Sequence, residues 1–252
     1  MLKKRLIPVL ILRHGQVVQS IKFKHTNVIH SNAVTAVAFF NAWAVDEIVL
    51  LDVSRTLKKR QHFYDAVNAL SKECFVPLTV GGWIQDTDEI SKLLNIGADK
   101  VVMNTEAFRN PRLITDSTKI FGTQCIVVSI DVKSNEKGEC EVFIDRGRES
   151  TGIEPVEWAK RVQTMGAGEI FLNSIDRDGF RKGYDLTILR EVVDSVDIPV
   201  IAMGGVFSWQ DLADGVLKGG ASAVAAANIF HYTEHSTKKA KDYLRSAGIN
   251  VR

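Results

Sequence analysis

The residues of this chain most able to do chemistry stand at the ends of apolar runs. Cys125-Ile-Val-Val-Ser-Ile-Asp131 is a run that finishes on a carboxylate. Chemistry in parallel α/β proteins gathers where strands end, so a carboxylate there is placed to meet a ligand. The first run, Arg5-Leu-Ile-Pro-Val-Leu-Ile-Leu12, has the opposite polarity. Strand side chains alternate, which puts Arg5, Ile7, Val9 and Ile11 on one face. That face begins on a cation and ends on a bare aliphatic group. A metal is a weaker reading. His231 and His235 have helical i, i+4 spacing but no third ligand, and Asp176-Arg-Asp-Gly179 lacks the further acidic spacing of a cation loop. His14, His25 and His30 are expected on loops near the same mouth, as solvated side chains or ligand contacts.

The elements that must carry these groups follow from length and pattern. The chain has 252 residues, 45% hydrophobic and 25% charged, enough for one large α/β domain. A net charge of +2 is too balanced for a nucleic-acid or polybasic membrane binder. Cys74, Cys125 and Cys140 lack CxxC spacing, and Cys74 and Cys125 read as core thiols of a reducing cytoplasm. No apolar run approaches the roughly 18 residues of a membrane span, and no signal-peptide pattern is evident. A cytoplasmic single domain over residues 1–252 is expected.

Strands and helices alternate along the chain. Leu6–Leu12 reads as a strand buried on both faces, as in a parallel sheet. Ser31 or Asn32 can cap a helix over Ala33–Ala44, on which Phe39, Phe40 and Trp43 take core spacing. Further strands are expected at 47–52, 77–82, 100–105, 125–131, 169–174, 199–203 and 221–226. Between them lie an amphipathic stretch from Lys59 to Cys74, a helix stopped by Gly97 and another opened by Asn110-Pro111. The polar segment 134–149 reads as a hairpin or excursion over one mouth. Eight strands, each followed by a helix, predict a closed (β/α)8 barrel.

The chain also repeats itself. Asp46-Glu-Ile-Val-Leu-Leu-Asp52 matches Gly168-Glu-Ile-Phe-Leu-Asn-Ser174, Gly81-Gly82 matches Gly204-Gly205, and Gly97 matches Gly220, all separated by about half the chain. Two similar four-strand halves result. In nearly the same register Ile11 stands opposite Asp131, so one half keeps an inward carboxylate and the other does not.

These motifs resemble one family. Arg5-Leu-Ile-Pro8, Glu47-Ile-Val-Leu-Leu-Asp52, Gly97-Ala-Asp-Lys-Val101, Ser129-Ile-Asp131, Gly166-Ala-Gly-Glu-Ile170 and Ser174-Ile-Asp-Arg-Asp-Gly179 are similar to HisF, the cyclase subunit of imidazole glycerol phosphate synthase. The resemblance runs from Met1 to Arg252. It implies a HisH-type glutaminase docked on the N-terminal face, ammonia passing through the barrel, and a two-phosphate ribonucleotide at the other face. It implies no cofactor. Two carboxylates, on strands one and five, would act as general acid and base; here they are Asp131 and, at the partner position, Ile11. Acid–base groups contribute roughly 10²–10⁴-fold each, so the resemblance implies a nearly silent cyclase step.

The phosphate positions depart as well. One site would use Gly81, Gly82, Asn104 and Thr105, but the family's third glycine is Trp83. The other would use Asp178, Gly179, Gly204, Gly205, Ala227 and Asn228, with Phe180, Met203 and Asn228 where the family carries small hydroxyl residues. Gln19 replaces a lysine. On the opposite face Arg5, Glu47, Lys100 and Glu169 match the four charged residues of the family's ammonia gate, and Asp99 would join the partner surface. A plain structural plug of the barrel is the other reading of those four charges. The expectation is a paralogue that channels ammonia, for sugar amidation in surface-polysaccharide synthesis, without cyclase chemistry. The alternatives are an authentic cyclase with a substitute acid such as His14, and a scaffold that only activates the glutaminase.

Overall fold

The computed structural model describes residues 3–31, 33–34, 45–231 and 236–252. The opening run is β1 (Arg5–Arg13), with Leu6 to Leu12 all buried. A hairpin follows, β2 (Gln16–Ile21) antiparallel to β1 and β3 (His25–His30) antiparallel to β2. Then come β4 (Ile48–Asp52), β5 (Leu78–Gly81), β6 (Lys100–Met103), β7 (Ile126–Ser134), β8 (Cys140–Ile144), β9 (Glu149–Ser150), β10 (Glu169–Ser174), β11 (Val200–Met203) and β12 (Ala223–Ala226).

Strands β1, β4, β5, β6, β7, β10, β11 and β12 are parallel and pair in that order, and β12 returns to β1. This closed barrel is the expected (β/α)8 fold. The first four strands are contiguous, as are the last four, so the sequence repeat maps onto two half-barrels. Register agrees: Ile11 pairs with Leu51 at the end of β1, and Asp131 with Asn173 at the corresponding place on β7.

Alternation builds two cores. Ile7, Val9 and Ile11 face inward with Val49, Val127, Phe171, Ile201, Ala223 and Ala225. Leu6, Leu10 and Leu12 face outward and bury with Leu50, Ile130 and Leu212 against the surrounding helices. Full burial of such a side chain contributes about 1.5–3 kcal/mol, which fixes register, since a one-residue slip would exchange the cores. The longer helices are Arg60–Glu73, Thr87–Asn95, Arg112–Phe121, Pro155–Thr164, Leu186–Ser195, Trp209–Leu217 and, after the last strand, Ser236–Ser246. Caps explain several starts. Asp86 accepts from the Glu89 N–H, and Ser208 and Asp211 form a reciprocal capping box.

Of the helix expected over 33–44, Ala33 and Val34 are helical; the rest, with Phe39, Phe40 and Trp43, lies outside the described residues. So do His235 and the side chain of His231. The excursion after β7 is present, β8 and β9 folding back antiparallel on its extended end. His25 and His30 correct the loop expectation, because they begin and end a strand. Cys74 and Cys125, expected inside the core, are half-buried at its edge. Among the described residues no helix is long and apolar enough to cross a membrane.

Candidate functional site at the two mouths of the barrel

At the N-terminal mouth the four expected charges form a closed ring. Arg5 Nη1 meets Glu47 Oε2 at 2.7 Å and Arg5 Nη2 meets Glu169 Oε1 at 3.0 Å. Lys100 Nζ lies 3.3 Å from Glu47 Oε2 and 3.3 Å from Glu169 Oε2. Signs alternate, so each charge has two opposite neighbours, the condition under which charges survive partial burial. Thr79 Oγ1 donates to Glu47 Oε1 at 2.7 Å and completes that carboxylate. Burial disfavours the Arg5 charge, but Glu169 and Glu47 outweigh it and hold the guanidinium above its ordinary value. Above the ring the barrel wall is apolar. Asp99 is exposed at this face, and its Oδ2 accepts from Leu78 N at 2.8 Å, tying β5 to β6.

At the C-terminal mouth Asp131 and Ile11 face a cavity of about 300 Å³. Asp131 Oδ2 accepts from Asn104 Nδ2 at 2.9 Å, and Oδ1 from Ser129 Oγ at 3.2 Å and Asn173 Nδ2 at 3.4 Å. Burial pushes its carboxyl up to about 7, with the nearby Asp178 adding to the rise, against the lowering effect of these hydrogen bonds. A carboxyl so poised exchanges protons near neutrality. The oxygens Asn104 Oδ1 and Asn173 Oδ1 are buried without a partner among the described residues. Buried acceptors of this kind suit a ligand that brings N–H or O–H donors.

Two other carboxylates lining this mouth are committed to structural contacts. Asp52 is held by Arg60 at 2.9 Å and by the Ser54 N–H at 2.9 Å. Asp178 accepts from Ser20 Oγ at 2.7 Å and Phe23 N at 3.3 Å, so it anchors the β2–β3 hairpin. His14 sits in the β1–β2 turn and does not line the cavity.

Of the first expected phosphate set, Gly82, Asn104 and Thr105 line the mouth cavity, while Gly81 lies within β5. Asn104 is engaged by Asp131, and Thr105 Oγ1 accepts from Asp145 N at 3.0 Å. Gly82 has φ +106°, and a Cβ there would meet Asp52 O at 2.3 Å; the glycine is required by this close approach. Trp83 follows at φ +59°, a backbone region that suits glycine. Its ring lines the cavity and its Nε1 donates to Ser54 O at 2.8 Å, so the indole is fixed at the mouth. The second set is brought together intact. Asp178, Gly179, Gly204, Gly205, Ala227 and Asn228 line one cavity of about 250 Å³, together with Gln19 and Met203. Phe180 does not line it, and takes Lys22 over its ring instead.

Several groups went unread in the sequence. Ser129 and Asn173 share the inward parity of Asp131 and Phe171, and alternation alone was enough to find them. Arg60 gave no such signal. It is buried and reaches Asp52, Glu89 Oε1 at 2.5 Å and Gly82 O at 2.8 Å, so it braces the loop before Trp83. The Asp46–Lys241 pair, 2.7 Å apart and buried, also joins residues far apart in the chain. Among the described residues no group of three or more His, Cys, Asp or Glu is arranged to hold a metal.

The family model for "Histidine biosynthesis protein" matches residues 5–236, from the first residue of β1 to the start of the last helix. The match covers all eight barrel strands, both mouths and the charge ring, and it agrees with the motifs quoted above. The chain therefore belongs to the histidine biosynthesis protein family, as a HisF-like (β/α)8 barrel.

Proposed function

We propose that this barrel docks a HisH-type glutaminase on its N-terminal face and passes ammonia through its interior to an acceptor at the C-terminal mouth, the cyclase step having been lost. The observation that carries the reading is the pairing of an intact charge ring with Ile11 opposite Asp131. The apolar wall between them suits a small neutral molecule, and the partnerless Asn104 and Asn173 oxygens suit its N–H groups. Exposed apolar side chains at or just after helix C-termini, Leu217 and Phe75 among them, give the N-terminal face surface for a partner. The acceptor is proposed to be a sugar amidated in surface-polysaccharide synthesis in the cytoplasm, a reading that rests on the family resemblance.

One observation favours an authentic cyclase: Asp131 remains, with a carboxyl at about 7. Turnover of the formimino-aminoimidazole ribonucleotide with saturating ammonium and no glutaminase separates the two. The wild type is expected to be silent, and turnover at a rate typical of a cyclase overturns the proposal. A Lys100→Ala protein tests the conduit against the scaffold. If ammonia transfer is unchanged while the glutaminase is still activated, the conduit reading fails.

A further inference from the structure

A second pocket adjoins the C-terminal mouth, outside both expected phosphate sites. Its volume is about 380 Å³, and Lys22, Lys24, Arg55, Lys133, Arg146 and Arg148 line it, with Asp176 as its one lining carboxylate. They come from separate segments: the β2–β3 turn, the loop after β4, the extended end of β7 and the turn between β8 and β9. The whole chain carries only +2, so this clustering is local.

Most of these charges are not neutralised. Arg148 is committed to Asp145, and Asp176 accepts from the Ser134 N–H. Lys22 and Lys133 lie over the rings of Phe180 and Phe143, at 4.4 and 4.8 Å. Among the described residues Lys24, Arg55 and Lys133 have no carboxylate within ion-pair distance. Arg146 meets Asp145 at 3.2 Å, but its Nη1 is buried without a hydrogen-bond partner. A buried guanidinium N–H left unpaired is costly, and like charges within a Debye length of about 8 Å repel unless an anion joins them. A polyanion would meet both conditions.

The neighbouring surface says what else the ligand carries. Phe23, Lys24, Arg55 and Arg146 line both this pocket and the mouth cavity, so the two communicate. On the mouth side Trp83 offers an aromatic ring, over which Arg146 is placed at 5.7 Å. We infer that the pocket binds an organic diphosphate, its phosphates among Lys24, Arg55 and Arg146 and its organic part against Phe23 and Trp83. Arginine and lysine supply charge-assisted hydrogen bonds to phosphate oxygens, and base-like or sugar rings stack on indole.

The test is titration calorimetry of the full chain without any glutaminase, using inorganic pyrophosphate and a nucleoside diphosphate as probes. Saturable one-site binding is expected, with the nucleoside diphosphate tighter. Arg146→Gln and the Lys24→Gln/Arg55→Gln pair, each verified as folded by its melting curve, should each weaken binding roughly tenfold. Arg181→Gln, in the separate Gly204–Gly205 cavity, should change it by less than about twofold. Three results overturn the inference: no saturable binding at millimolar probe, losses that follow Arg181 rather than Arg146, or equal affinity for the two probes. None of them touches the ammonia reading, because no ammonia or glutaminase enters the assay.

Discussion

Ile11 and Asp131 occupy corresponding ends of β1 and β7, each paired in register with the strand that follows it in its own half, Leu51 beside one and Asn173 beside the other. Asn104, Ser129 and Asn173 give Asp131 polar neighbours, whereas Ile11 packs among aliphatic side chains. Ile11→Asp should therefore be a poor restoration. The new carboxylate would be buried among apolar groups without a dedicated donor, and it would raise Asp131 further by like charge. A loss of about 2–4 kcal/mol is expected in urea unfolding, with cyclase turnover staying silent.

The position of Asp131 on the pH scale makes a stability prediction with a definite sign. Its folded carboxyl is raised from 3.8 to about 7, so between those values the native state holds a proton that the unfolded chain has released. Its contribution is fully present below the unfolded value and is lost as pH rises through 7, by up to about 4 kcal/mol. Asp131→Asn should flatten that fall, so its stability relative to wild type should improve from pH 4 to pH 8. Denaturant midpoints across the range measure it. A constant difference would mean that Asp131 titrates normally.

Glu47 is the most enclosed member of the ring, with Arg5, Lys100 and Thr79 all directed at its carboxylate. Glu47→Ala leaves Arg5 and Lys100 sharing the single carboxylate of Glu169 and should cost about 3–5 kcal/mol. Glu47→Gln keeps the Thr79 contact and should cost less. Thermal unfolding of the two variants side by side checks the order.

Arg60 should behave as a brace for the mouth. Arg60→Ala removes the partner of Asp52, Glu89 and the Gly82 carbonyl at once, and a loss of about 3 kcal/mol or more is expected. Arg60→Lys should not rescue it, because one ammonium cannot reproduce the fork. Trp83 fluorescence should change in both variants, since the loop that carries the indole loses its support.

The barrel itself was legible because its signals are local and repeated. Buried runs, glycine stops and a half-chain repeat all point to one closed sheet, and the ring at its floor follows from residues at the N-terminal ends of four strands. The β2–β3 hairpin was less visible. Gln16–Ile21 and His25–His30 carry no clean alternation, and the hairpin is held by Asp178, more than 150 residues away. Arg60 was hidden for the same reason. Its partners belong to three different segments, and no periodic pattern marks a residue whose role is set by convergence in space. The basic pocket was invisible too, since its cations are scattered one or two at a time through three connections and the end of β7.

The charge ring is mechanically uneven. Arg5 grips both carboxylates at 3.0 Å or less, and Glu47 is further pinned by a hydroxyl, whereas Lys100 touches its two partners only at 3.3 Å. Two sides of the ring, both made by Arg5, are thus tight, and the two made by Lys100 are looser. Lys100 is a flexible four-carbon arm ending in a rotatable ammonium, whereas Arg5 presents a rigid planar fork. Of the four charges at the floor of this barrel, Lys100 is the one least firmly anchored.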